Sequence, residues 1–185
     1  AIFRLPWSPD PEWAGVLQVE AFEALTVDAY RALWGLLLDF DLTKRVVAAR
    51  RPVDEPLRWM LTNPRALKLT RTRDNLWLRI LDVPAALEAR TYAATDSLVV
   101  EVADELYGGG QWRLDAAPDG ASCTATSGAA DLSLSVNELG SLYLGGVRAS
   151  ELAYAGRIGE HTRGAVSRLD ALLRPDRAPH NAVGF

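Results

Sequence analysis

Asp131-Leu132-Ser133-Leu134-Ser135-Val136 alternates polar and apolar residues, and the chain then changes period, with Asn137-Glu138-Leu139-Gly140-Ser141-Leu142-Tyr143-Leu144 reading as a helix. A strand that runs straight into a helix needs a cap at the switch, and Ser135 with Glu138 has the spacing of a capping box. Gly145-Gly146 stops the helix, and two more helical runs follow. Thr162 is placed to cap the last of them, and Ala165, Val166, Leu169, Leu172 and Leu173 form its buried stripe up to Pro175. Residues Asp176 to Phe185 then form a polar tail that ends on an aromatic ring. A docked ring would hold the terminal carboxylate in a fixed place, where it is a candidate for chemistry. A frayed terminus is the ordinary alternative.

Upstream of this stretch, residues 1–7 and 15–22 read as strands joined by a turn rich in Pro, Asp and Ser. Thr26 is placed to cap a helix running to about Phe40, followed by a short strand at 45–49 and a short helix at 56–61 that Asn63-Pro64 ends. Leu67–Thr70 and Leu76–Leu81 alternate and predict a hairpin around Arg71-Thr72-Arg73-Asp74-Asn75. Asp82-Val83-Pro84 opens a helix to about Arg90, with Asp82 as its cap. A strand at 97–102 and a hairpin pairing 111–114 with 122–126 around Ala117-Pro118-Asp119-Gly120 complete the pattern. The result is an α+β chain of two units meeting near Asp82.

Composition excludes several classes of function. With 49% hydrophobic and 24% charged residues, the 185-residue chain has the make-up of a globular protein and is long enough for one sizeable core or two small ones. A net charge of -4 offers no basic footprint, so no nucleic-acid partner is expected and a cationic ligand suits it better than an anionic one. The longest apolar run, Ala32 to Leu38, falls far short of the ~20 residues of a membrane span. The lone Cys123 leans toward a reducing, cytoplasmic setting, with export without a recognisable signal as the alternative. The chain starts Ala1-Ile2-Phe3-Arg4-Leu5, as if in mid-strand, which predicts that it is part of a longer polypeptide.

Few residues point to chemistry by themselves. His161, His180 and Cys123 lack metal-ligand spacing, so no metal is expected. Gly108-Gly109-Gly110 is followed by no Lys-Ser or Lys-Thr and leads into a strand, so it reads as a hairpin turn and not as a phosphate loop. No Gly-x-Ser-x-Gly marks a serine nucleophile. Asp82 has the ordinary role of a helix cap, and its place between the two units also allows a ligand contact. The six tryptophans could wall a pocket, although packing is their usual role.

Leu33-Trp34-Gly35-Leu36-Leu37-Leu38-Asp39, the segment from Asn75-Leu76-Trp77-Leu78-Arg79-Ile80-Leu81-Asp82-Val83-Pro84 through Tyr92, the stretch Glu138-Leu139-Gly140-Ser141-Leu142-Tyr143-Leu144-Gly145-Gly146 and a terminal Phe occur in that order. Together they resemble the Eis (enhanced intracellular survival) acetyltransferases over essentially the whole chain. The resemblance implies that residues 1–81 are the end of a central GNAT-like domain, with part of a mixed sheet and its helices. It implies a sterol carrier protein-like α+β domain over 82–185. It further implies acetyl transfer from acetyl-CoA to amines such as aminoglycosides, a homo-oligomer that is a hexamer, the Phe185 carboxylate as general base, and Asp82 as a contact for the cationic substrate. A tyrosine acid and the acetyl-CoA site would lie in a domain outside this chain. No Gly here has Gln or Arg three residues before it and Gly or Ala two after, the pattern that binds the pyrophosphate of acetyl-CoA in GNAT domains. Two rival readings remain: a module that sequesters a lipid or other apolar ligand, with an internal apolar cavity, and a purely architectural oligomerisation module.

Overall fold

A computed structural model describes residues 1–6 and 14–181. The chain divides into two compact units: Ala1–Asn75, which His180 and Asn181 rejoin, and Leu76–Pro179.

The first unit is built on strand β2 (Val16–Ala21), whose Val16, Leu17 and Val19 are buried. Strand β1 (Ile2–Arg4) pairs antiparallel on one edge and β3 (Arg45–Ala48) parallel on the other. A parallel neighbour needs a crossover, and helix α1 (Val27–Leu38) supplies it. Thr26 starts α1 with extended backbone, and its Oγ1 accepts from the Ala29 N–H at 3.1 Å. Trp34 and Leu37 are the buried positions of α1, and they join Leu17, Val19, Phe22 and Leu57 in one core in which the Phe22 ring stacks on Trp34 at 4.8 Å. Helix α2 (Leu57–Met60) and a single 3-10 turn at Pro64–Ala66, capped by Asn63, follow.

The hairpin expected at 67–81 is absent, since these residues form neither helix nor strand. Alternation makes a strand only where a neighbour completes the hydrogen-bond ladder and an apolar surface takes one face. Among the described residues no strand pairs with this segment, and its apolar contacts are piecemeal: Leu67 packs on the core of the first unit and Ile80 is buried in that of the second, while Leu69, Leu76 and Leu81 are exposed and Trp77 is 86% exposed.

The second unit opens with α3 (Val83–Glu88) and folds around a sheet of β4 (Asp96–Ala103), β5 (Gly110–Ala117), β6 (Gly120–Ala125), β7 (Leu132–Ser135) and β8 (Gly159–Glu160), in the order β6-β5-β4-β7-β8. β4 and β7 run parallel, and the other pairs are antiparallel. Period-two alternation sends Leu98, Val100, Val102, Leu114, Cys123, Leu132 and Leu134 to one face. There they pack with apolar residues of α3, of α4 (Val136–Tyr143) and of α6 (Ala165–Leu173), while α5 (Ala149–Tyr154) packs on α6. The capping box forms at the β7–α4 switch, with the Glu138 carboxylate accepting from the Ser135 N–H at 3.0 Å. Thr162 does not cap α6. The helix starts at Ala165 behind Gly164 in the left-handed conformation (φ 86°), and the Thr162 hydroxyl is committed to the Asp131 carboxylate instead.

Two of the segments that carry the family resemblance meet inside this unit. A Cβ on Gly140 would lie 2.8 Å from the Leu78 carbonyl oxygen, so only glycine lets α4 approach so closely. The Tyr143 hydroxyl donates to the Ala86 carbonyl at 2.9 Å, and Arg90 Nη1 donates back to the Tyr143 carbonyl at 2.6 Å. Downstream, a Cβ on Gly145 would sit 2.6 Å from Pro175, and one on Gly146 would sit 3.0 Å from Pro179, so the start of the tail packs on the Gly-Gly turn.

Candidate functional site

Asp82 sits at the head of α3, where its Oδ1 accepts from the Ala85 N–H at 3.0 Å. Val83 and Leu87, buried in the core, pin the helix and leave the Asp82 side chain exposed. At the far end of α3, Glu88 Oε1 accepts from the Cys123 N–H at 2.8 Å. Burial pushes the Cys123 thiol up to about 11, and the Glu88 and Asp82 carboxylates add to the shift. The helix thus lays a negative edge along β6. Phe185, the expected base, lies outside the described residues, as do Trp7 and Trp13. Of the described tryptophans, Trp34 is in the core of the first unit, Trp112 flanks that of the second, and Trp59 and Trp77 are exposed.

Two open clefts flank the carboxyl end of β4. One, of about 530 Å³, is lined by Glu101, Asp104, Glu105, Gly108, Gly110 and Gln111. Asp104 accepts from the Leu106 and Tyr107 amides and from Arg79 Nη2 at 2.7 Å. The glycine run is the expected hairpin turn: Gly108 and Gly109 have positive φ, and a Cβ on Gly109 would lie 2.4 Å from the Val102 carbonyl oxygen. The other cleft, of about 420 Å³, includes Glu101, Ser133, Ser135, Glu138 and Arg157. Glu138 is only 5% exposed and accepts from Arg157 Nε at 2.8 Å besides the Ser135 amide and hydroxyl. Burial raises its pKa, but the Ser135 and Arg157 hydrogen bonds outweigh that and hold the carboxyl below its usual range. Sequence reading found the Ser135–Glu138 half of this network and missed Arg157, which no local pattern connects to Glu138. His161 Nε2 and Ser133 Oγ lie 2.9 Å apart. Among the described residues no carboxylate orients the other ring nitrogen, so the pair is not a catalytic triad.

The β2–α1 and β7–α4 turns do not fit the pyrophosphate of acetyl-CoA. The strand-to-helix turn β2–α1 reads Phe22-Glu23-Ala24-Leu25-Thr26, holds no glycine, and spends an N–H on the Thr26 cap with Asp28 in the first turn. The β7–α4 switch is closed by its own carboxylate, Glu138. Among the described residues no three His, Cys, Asp or Glu side chains converge as metal ligands, and no helix is long and apolar enough to cross a membrane. The helix–sheet core of the second unit packs fully buried Leu98, Leu114, Leu132, Leu142 and Leu172.

Comparison with known proteins identifies two families in order. Residues 1–80 match the acetyltransferase (GNAT) domain and residues 83–182 the sterol carrier protein domain, in agreement with the expected α+β fold classes. An uncharacterized N-acetyltransferase of Streptomyces coelicolor is 41% identical over 184 residues, which are 98% of this chain and 44% of that protein. N-acetyltransferase Eis of Mycobacterium tuberculosis is 41% identical over 171 residues, 91% of this chain and 41% of Eis. The crystal structure of Eis1 from Mycobacterium abscessus superposes with a TM-score of 0.82 at 37% identity, covering 92% of this chain and 43% of that one. The chain thus spans less than half the length of these relatives. With a GNAT segment, a sterol carrier-type domain and this identity over nearly all its residues, the chain belongs to the Eis-like GNAT N-acetyltransferase family.

Proposed function

We propose that the full-length protein is an acetyl-CoA-dependent N-acetyltransferase acting on cationic amines such as aminoglycosides, and that it works as a homo-oligomer, a hexamer. In this reading the terminal carboxylate of Phe185 is the general base and Asp82 helps to hold the cation. The observation that carries it is the 41% identity to N-acetyltransferase Eis across 91% of the chain. The acetyl donor binds in a part of the protein outside this chain, so the chemistry assigned here is the proton step. A substrate ammonium is not nucleophilic until it loses a proton, and a carboxylate beside it attracts the cation and accepts that proton. The net charge of -4 and the carboxylates along α3 and the β4 clefts support a cationic substrate.

The test is release of coenzyme A thiol by the full-length protein with acetyl-CoA and an aminoglycoside. Saturable turnover that requires both substrates is expected. Absence of turnover across a panel of amines, together with a lipid that co-purifies, would replace this reading by the ligand-sequestering module.

A further inference from the structure

Five of the chain's 20 basic residues, Arg58, Arg65, Lys68, Arg71 and Arg73, fall between Glu55 and Asp74, and none of its 24 acidic residues does. This stretch is thus strongly cationic within a chain of net charge -4. The first unit holds it by its apolar positions. Leu57, at the head of α2, is buried, and Leu61 and Leu67 pack against the same core. The 3-10 turn packs beside α2 and is capped by Asn63, whose Oδ1 accepts from the Arg65 N–H at 3.1 Å. With the leucines turned inward, all five basic residues are exposed, and among the described residues none of them is in an ion pair. Trp59 and Leu69, set among them, are 82% and 74% exposed.

We propose that this basic face of the first unit docks the protein on an anionic membrane surface, where lipid phosphates meet the arginines and Lys68 while Trp59 and Leu69 enter the headgroup boundary. Charge complementarity selects an anionic partner. The indole and aliphatic side chains between the cations select lipid, since a nucleic acid offers Leu69 no apolar medium. A folded protein partner needs fixed groups to match, whereas residues 68–73 form neither helix nor strand, which a fluid surface tolerates. The attachment is peripheral and involves no spanning segment.

The test is co-sedimentation of the full-length protein with vesicles of phosphatidylcholine alone and of phosphatidylcholine with about one third phosphatidylglycerol. Expected is binding to the anionic vesicles only, weakening as salt rises from ~0.15 M to ~1 M and the screening length shortens from about 8 Å to about 3 Å. Each basic residue near an anionic surface contributes about fivefold, so R65Q/K68Q/R71Q should bind about a hundredfold more weakly. W59A should bind several-fold more weakly, and both variants should keep the wild-type unfolding midpoint. Binding to neither vesicle, equal binding to both, or wild-type binding by both variants would overturn the proposal. If the wild type binds no vesicle and the triple variant changes oligomeric state, the proposal is wrong and the face belongs to a second copy of the chain.

Discussion

At the residue scale, chemistry can separate the capping role of Asp82 from the substrate contact proposed for it. Its Oδ1 caps α3 through the Ala85 N–H, and asparagine caps as well as aspartate does. Asp82→Asn should therefore leave stability within about 0.5 kcal/mol while raising KM for a cationic amine several-fold in the full-length protein, whereas Asp82→Ala should also cost about 1 kcal/mol of stability. Denaturant melts paired with initial rates check both, and an unchanged KM in Asp82→Asn would confine the residue to capping. Gly140 gives an equally directional expectation. Alanine in a helix interior ordinarily stabilises by about 1 kcal/mol over glycine. Here the added Cβ would meet the Leu78 carbonyl oxygen at 2.8 Å, so Gly140→Ala should destabilise the second unit by about 1–3 kcal/mol. A rise in the unfolding midpoint would contradict the packing of α4 described above.

At the scale of elements, the second unit is tied together by carboxylates held below their usual range. Asp96 is lowered by its hydrogen bond from Arg168 against burial, with the Ser97 amide and the Arg168 charge helping. For Asp131, burial pushes upward but is outweighed by Thr162, the Val99 amide and Arg168. Glu138 follows the same pattern with Ser135 and Arg157. A carboxyl whose folded pKa lies below its unfolded value contributes stability above the unfolded value, and that contribution is lost as pH falls through the folded one. Thermal stability should therefore be flat near neutrality and fall below about pH 4. Glu138→Gln should start lower, by about 2 kcal/mol at neutral pH, and show a shallower acid slope. Unfolding midpoints from pH 7 to 3 measure both quantities. The same elements show what was legible. The capping box, the Thr26 and Asp82 caps and the turn at Ala117-Pro118-Asp119-Gly120 were readable because each is decided within a few residues. The 67–81 hairpin was misread because alternation does not say whether a partner strand is present. The Thr162 cap was misread because Asp131, thirty-one positions earlier in the numbering, takes its hydroxyl. Arg157 was invisible because its partner Glu138 lies nineteen positions away.

At the scale of the whole molecule, the family was readable from separated segments in order, and the structure gives a physical reason for two of them: the stretch around Leu78, Ala86 and Arg90 and the stretch around Gly140 and Tyr143 bind one another. The proposal of a catalytic terminus comes from the resemblance alone, since no local pattern marks a chain end as a base. The expectation that acetyl-CoA binds outside these residues came from the missing glycine pattern, and the β2–α1 and β7–α4 turns are each committed to their own helix caps. The account therefore rests on the carboxylate of Phe185. The decisive measurement is the rate of acetyl transfer to an aminoglycoside by the full-length protein with and without a few residues appended after Phe185, at matched oligomeric state and melting temperature. Displacing a general base should lower turnover about 10²–10⁴-fold. Turnover equal to that of the unextended protein would contradict the account.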